Sequence, residues 1–212
     1  MRLNPPAAAD TPENRSGGIL LVLQPGYGPD PDGRDPVQLV RPRGLLTSAQ
    51  IDRGPLLPRV LRWLAEAGLN LRTAAPALQL TVWPERFEGE PYAAQRIKAL
   101  AVQSGDFLDT VARRRPRLIV FVSAYLHDAL LEPGVSARFA ETVGRACEPP
   151  RRLTTGRLRA RIQRWEKAIV ISVPVPCLSV TPAFETELTA ALRRETGDLF
   201  ASFSLSDRGN RS

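Results

Sequence analysis

The chain's best candidates for chemistry are acids in a turn that directly follows its first apolar run. Gly18 to Leu23 is apolar, and the next residues are rich in Pro, Gly and Asp. Ligands of open α/β sheets bind where strands end. A carboxylate there can position water or stabilise developing positive charge, so Asp30 and Asp32 are our candidate catalytic residues, with Asp35 farther along. The alternative is that these acids form solvent-facing turns.

A second loop of interest breaks off a later apolar run. Lys167 to Ser179 reads KAIVISVPVPCLS, so a buried-strand pattern changes into alternating Val and Pro. Two prolines fix the backbone and remove N–H donors, which makes a stiff wedge able to press on a phosphate backbone. We expect Pro174, Pro176 and the Ser179 hydroxyl to contact DNA. A rigid connection between strand and helix is the alternative interpretation.

Other reactive side chains are few. His127 is the only histidine. No nucleophile motif accompanies it, so a surface or hydrogen-bonded helical histidine is the favoured interpretation. Cys147 and Cys177 make no disulfide framework, and no Cys or His pair has metal-ligand spacing. We therefore expect a reduced protein with no metal and no cofactor.

The net charge of +7 favours a polyanionic partner, and nearly all of the positive charge is arginine. An Arg-rich composition bias is the alternative explanation. The stretch Thr155 to Trp165 predicts an amphipathic helix on which Arg157, Arg161 and Arg164 share one face. We expect these three side chains to contact DNA phosphates, with a solvated helix as the alternative.

Strand-like and helix-like stretches alternate along the chain. Buried parallel strands are predicted at Ile19 to Leu23, Leu78 to Val82, Leu118 to Val122, and Ala168 to Val173. Amphipathic stretches predict helices at Leu56 to Glu66, Tyr92 to Arg113, Tyr125 to Leu131, Ser136 to Cys147, and Pro182 to Glu195, the last capped by Thr181. The alternation predicts a three-layer α/β/α fold with a central four-stranded parallel sheet.

The predicted organisation is a single domain over residues 18–196, between a disordered leader at 1–17 and a partly ordered tail at 197–212. The start lacks the apolar segment of a secretory signal, and no run approaches the length of a membrane span. We expect a monomeric cytoplasmic protein without membrane contact.

Five segments, in order, carry a family resemblance. They are LQPGYGP after the first strand, GLLTS at Gly44 to Ser48, LQLTVWP at Leu78 to Pro84, RPRLIVFVSAYLHDAL at Arg115 to Leu130, and VPVPCLS at Val173 to Ser179. Together they resemble the uracil-DNA glycosylase superfamily, from about residue 18 to residue 195. The resemblance implies a pocket for a flipped base, a partner DNA of one or two strands, and catalysis by a carboxylate.

The resemblance implies a base pocket formed by Gln24, Tyr27, Thr47, Ala77, Trp83 and Val173. In the superfamily's uracil-specific branch a loop Asp, a stacking Phe, a base-reading Asn and a last-loop His form the pocket. Pro25, Thr47, Ala77 and Val173 stand in those four places here. Uracil is therefore expected to be a poor substrate. Trp83 is expected to stack on the base, and packing against helices is its alternative.

These observations predict a DNA glycosylase-like protein that flips a nucleotide and hydrolyses the N-glycosidic bond of a noncanonical or modified base. Defence against modified phage DNA or base-excision repair would be its setting. The alternative is a catalytically inactive relative that binds DNA or a protein. An unrelated α/β nucleotide-binding protein is a third interpretation, although no Gly-rich phosphate loop of standard spacing is present.

Overall fold

The computed structural model describes residues 17–23, 56–69, 78–83, 93–155, 158–175 and 180–205. Within these ranges the strands are β1 (Ile19–Leu23), β2 (Leu78–Val82), β3 (Leu118–Phe121), β4 (Arg151–Thr155), β5 (Leu158–Arg164) and β6 (Ile169–Ser172). The helices are α1 (Leu56–Glu66), α2 (Ala93–Val102), α3 (Gly105–Arg114), α4 (Ala124–Leu130), α5 (Pro133–Val143) and α6 (Pro182–Leu205).

The four predicted strands are confirmed as β1, β2, β3 and β6. They pair in parallel in the order β2-β1-β3-β6. Every residue of β1 and β3 is buried, which matches their uninterrupted apolar sequences. A strand covered on both faces must be apolar throughout, so these apolar runs correctly predicted the central strands of the sheet.

The sheet is larger than predicted and mixed in direction. Two further strands extend it to six, in the order β2-β1-β3-β6-β5-β4. β5 is antiparallel to β6, and β4 is antiparallel to β5. The prediction of a four-stranded, all-parallel sheet is therefore wrong, because the segment expected to form a helix over Thr155 to Trp165 contains β5.

Two apolar cores lie on opposite faces of the sheet. One core contains Leu21, Val120 and Ile171 and is covered by α1 and α6. The other contains residues of alternate parity, such as Leu20 and Ile119, and is covered by α2, α3, α4 and α5. Successive strand residues point to opposite faces. The protein is thus an α/β structure with helices on both sides of a mixed sheet.

Most of the predicted helices are present, but their bounds differ from the predicted ones. α1 has its predicted bounds, whereas the stretch from Tyr92 to Arg113 is divided into α2 and α3. Thr181 caps α6 as predicted, since its hydroxyl accepts a 3.3 Å hydrogen bond from the Phe184 N–H. α6 continues to Leu205, beyond the end predicted at Glu195. Among the helices described, none has the length and apolar character required to cross a membrane.

Glu185 joins α6 to α1 through side-chain hydrogen bonds. Glu185 accepts hydrogen bonds from Arg59 at 2.7 Å and from the Trp63 indole at 2.9 Å, both on α1. Burial raises the pKa of Glu185, but these bonds and the charges of Arg59 and Arg62 outweigh it, so the pKa lies below its ordinary value. The α1–α6 layer is therefore joined by charge as well as by apolar packing.

Candidate site at the carboxyl edge of the sheet

The carboxyl ends of β1, β3 and β6 lie side by side, with β3 in the middle. Hydrogen bonds continue past the strands at this edge: the Val122 N–H donates to Val22 at 2.9 Å, and the Val173 N–H to Phe121 at 2.8 Å. The chain runs from β1 to β2 on one side and then to β3 on the other. Such a reversal of strand order is where open α/β sheets bind ligands.

Many of the predicted site residues lie outside the described residues. They are the candidate acids Asp30 and Asp32, the pocket residues Gln24, Tyr27, Thr47 and Ala77, and the DNA-binding residues Pro176, Ser179 and Arg157. Their roles stay predictions. Trp83, Val173, Pro174, Arg161 and Arg164 are described, and each has a definite place in the fold.

Val173 and Pro174 follow β6 directly at this edge. The Val173 side chain is buried in the core shared with α1 and α6. Pro174 is half-buried. Their position after β6 matches the expectation that this loop leaves the carboxyl edge, next to the chain that continues from β3. Val173 therefore holds the start of this loop in the apolar core.

Trp83 is a core residue and not a free stacking surface. Its side chain is 0% exposed, and its ring stacks on Phe107 with centroids 4.3 Å apart. The indole N–H donates to the Leu100 carbonyl at 2.7 Å. The predicted stacking of Trp83 on a flipped base is corrected accordingly, because neighbouring aromatic side chains occupy the ring. Packing against helices was the competing interpretation, and the structure bears it out.

The predicted face of Arg157, Arg161 and Arg164 on a helix does not exist. In strand β5, Arg161 and Arg164 point to opposite faces of the sheet. Arg164 pairs with Glu195 of α6 at 3.2 Å. Arg161 is only 7% exposed and makes a two-pronged ion pair with Asp128 of α4. Both guanidinium groups therefore have carboxylate partners within the protein, and their contact with DNA phosphates stays a prediction.

A buried polar cluster lies between α4 and the β5–β6 pair, and sequence reasoning missed most of it. The His127 ring is 0% exposed, and its Nε2 is 3.2 Å from Gln163 Oε1. The Gln163 amide nitrogen donates to the Glu148 carbonyl at 3.3 Å. The Gln163 oxygen must then accept, so His127 carries its proton on Nε2. Its Nδ1 is left as an acceptor.

The cluster keeps His127 neutral. The pKa of His127 is lowered to about 4, chiefly by burial and then by the nearby positive charge of Arg161. The Gln163 hydrogen bond and the Asp128 charge oppose this shift without overcoming it. At neutral pH the ring is a neutral hydrogen-bonding group and contributes no positive charge to the site.

Three buried polar atoms of the cluster have no hydrogen-bond partner among the described residues: His127 Nδ1, Arg161 Nε and Ser172 Oγ. Arg161 and Ser172 are directly opposite each other across β5 and β6. Ser172 is also the last residue of β6, so the cluster reaches the carboxyl edge. Alternating polarity in Arg159, Arg161 and Gln163 was the signal that could have revealed it.

No model of a known protein family matches the chain, and no curated protein matches it. Within the described ranges, no group of three or more His, Cys, Asp or Glu side chains is placed to hold a metal ion.

Proposed function

We propose that the chain binds DNA at the carboxyl edge of its sheet, flips out one nucleotide and hydrolyses the N-glycosidic bond of a noncanonical or modified base. The observation that carries this proposal is the adjacency of β1 and β6 to β3 at one edge. The acidic segment with Asp30 and Asp32 follows β1, and the Val-Pro loop follows β6. The acids and the loop that we propose to contact phosphate thus follow the two strands that flank β3.

The proposed reaction is a substitution at the sugar. The bond between C1′ and the base nitrogen breaks, a water oxygen bonds to C1′, and the water proton goes to the departing base. A carboxylate within hydrogen-bond reach either positions the water or stabilises the positive charge that develops on the sugar. Asp30 is our first choice for this carboxylate and Asp32 our second. The net charge of +7 supports a DNA partner.

The test is incubation of the purified protein with DNAs that carry natural, deaminated and bulky modified bases, followed by detection of alkali-sensitive abasic sites. We expect base release from a modified or noncanonical base and little release of uracil, because Val173 is an apolar residue anchored in the core. Efficient uracil release would contradict our assignment of Ala77 and Val173 to the pocket. Release from phage-type modified DNA would favour a defence role over repair.

A second candidate is a catalytically inactive module that binds DNA or a protein. It is favoured by the apolar character of the described edge, where Leu23, Val122 and Val173 are all buried. The two candidates differ in one measurement. An inactive module binds DNA or a partner protein and leaves every base in place, whereas the enzyme produces abasic sites.

A further inference from the structure

We propose that one exposed face of the β4–β5 hairpin binds backbone phosphates of DNA through Arg152 and Arg159. This inference rests on the proposed function for its choice of DNA as the polyanion. It assigns the phosphate contacts to residues other than the predicted helical set of Arg157, Arg161 and Arg164.

Register places three arginines on one face of the hairpin. Arg152 is directly opposite Arg161 in the antiparallel ladder. Arg159 precedes Arg161 by two positions on β5 and so points to the same face. Directly opposite side chains have Cβ atoms about 4.5–5.5 Å apart, and diagonal neighbours are about 7–8 Å apart. The guanidinium groups of the two exposed residues, Arg152 and Arg159, are thus close enough to act on one polyanionic chain.

The charge on this face is not balanced by the described residues. Asp128 is the carboxylate paired with the buried Arg161. Arg152 and Arg159 are exposed, and neither forms an ion pair or side-chain hydrogen bond in the described part of the chain. Like charges directly opposite each other in a ladder are destabilising. Arg152 lies directly opposite Arg161, and a bound phosphate beside Arg152 and Arg159 would offset the positive charge gathered on this face.

On the opposite face of the same hairpin, the arginines have a carboxylate partner within the protein. There Arg151 and Arg164 both pair with Glu195, which α6 supplies. The Glu195 side chain is only 10% exposed, so on this face the protein itself supplies the carboxylate that pairs with the arginines. The fold therefore gives the arginines that face α6 a shared carboxylate partner and leaves Arg152 and Arg159, on the α4 side, exposed.

The exposed arginines also lie at the proposed DNA-binding edge. Arg161 pairs with Ser172, the last residue of β6. When this register is continued, Arg159 falls level with Pro174 in the Val-Pro loop. A guanidinium can bind a phosphate with two parallel hydrogen bonds, which favours arginine for this contact. The hairpin would hold the DNA backbone beside the loop that leaves β6.

The experiment measures binding of unmodified single-stranded and duplex oligonucleotides by fluorescence anisotropy over a range of salt concentrations. We compare the wild type with Arg152→Gln/Arg159→Gln. Each lost phosphate contact lowers the slope of log affinity against log salt by about 1, so the double variant should lose about 2. Its affinity deficit should shrink roughly tenfold between about 50 and about 200 mM salt, and it should be the same for every sequence.

The matched control is Arg113→Gln/Arg115→Gln, which removes the same charge from exposed positions just before β3, at the amino edge. We expect this control to keep the wild-type slope. A hairpin variant with the wild-type slope, or a control with an equal loss, overturns the proposal. Thermal unfolding of both variants shows that they are folded. Because the DNA is unmodified, failure of the base-release assay does not affect this result.

Discussion

His127 on α4 and Gln163 on β5 form a buried hydrogen bond with 3.2 Å between Nε2 and Oε1. The residues are 36 positions apart, so the bond ties the helix after β3 to a strand that the chain reaches only later. Because the Gln163 amide nitrogen donates to the Glu148 carbonyl, the Gln163 oxygen accepts the bond from His127. This arrangement fixes the His127 tautomer with its proton on Nε2. The polar cluster is therefore held in place by specific hydrogen bonds next to the carboxyl edge.

Protonation of His127 should make stability depend on pH between about 4 and about 6.5. The folded-state pKa is about 4 and the model value is 6.5, so within this window the unfolded chain binds a proton that the folded protein does not. Stability therefore falls as pH is lowered through the window, by up to about 3 kcal/mol. Urea unfolding at a series of pH values measures the loss.

The matched variant for this prediction is His127→Gln, which keeps an amide donor for Gln163. Its stability should be nearly flat from neutral pH down to about 4.5, since Glu185 and Glu195 have lowered pKa values and lose their contribution only at lower pH. A variant whose curve runs parallel to that of the wild type would show that another group causes the pH dependence.

Breaking the ion pair between Asp128 and Arg161 should be costly because it leaves a buried guanidinium without its carboxylate. We expect Asp128→Ala to lower the free energy of unfolding by about 2 kcal/mol, below the ~3–5 kcal/mol of fully buried pairs. The reduction reflects the 31% exposure of the Asp128 side chain. Urea unfolding measures the change.

A double-mutant cycle separates the pair from each residue alone. Asp128→Ala/Arg161→Met should cost less than the sum of the two single changes, since no charge is then left unpaired. The exposed pair Arg62–Glu66 is the control, and Glu66→Ala should cost less than about 0.5 kcal/mol. Strict additivity in the cycle would argue against a coupled pair.

Trp83 should matter for stability and not for DNA contact. Trp83→Ala removes a buried ring that stacks on Phe107 and leaves a cavity. The change should lower the free energy of unfolding by about 3–5 kcal/mol. Trp83→Phe keeps a ring in the core and loses only the indole bond to Leu100. We expect it to stay folded and to bind DNA as the wild type does in the anisotropy assay. Loss of DNA binding without loss of stability would restore Trp83 to the base pocket.

The sequence predicts the centre of the sheet better than its edge. Strands buried on both faces must be apolar throughout, so ILLVL and LIVF could be recognised without knowledge of their neighbours. β5 reads LRARIQR, in which apolar and polar residues alternate with period two. The three arginines at positions 157, 161 and 164 also have helical spacing, and that coincidence produced the wrong helix.

The polar cluster could not be found until β5 was recognised as a strand. On a helix, Arg161 and Gln163 lie on different faces, whereas on a strand they share one. Only the strand brings Gln163 to His127 and Arg161 to Asp128. Pairing of β5 with β6 then adds Ser172. Such long-range contacts depend on tertiary packing, which local sequence patterns do not encode.

The last prediction concerns the acid that performs base release. Asp30 follows the first-strand loop closely and Asp32 comes two positions later, whereas Asp35 is expected to turn outward. A change from Asp to Asn keeps the shape and removes the charge needed to position water or stabilise the sugar cation. We expect Asp30→Asn or Asp32→Asn to abolish base release from the true substrate while DNA affinity changes little.

Abasic-site formation and anisotropy on the same DNA provide the two readouts, and Asp35→Asn is the matched control that should remain active. Loss of activity together with loss of affinity would indicate a binding residue instead of a catalytic one. If Asp30→Asn, Asp32→Asn and the double variant all release the base as fast as the parent, the catalytic group lies elsewhere. In that case the proposal of DNA binding at the carboxyl edge would still stand or fall with the hairpin variants, because it does not depend on these acids.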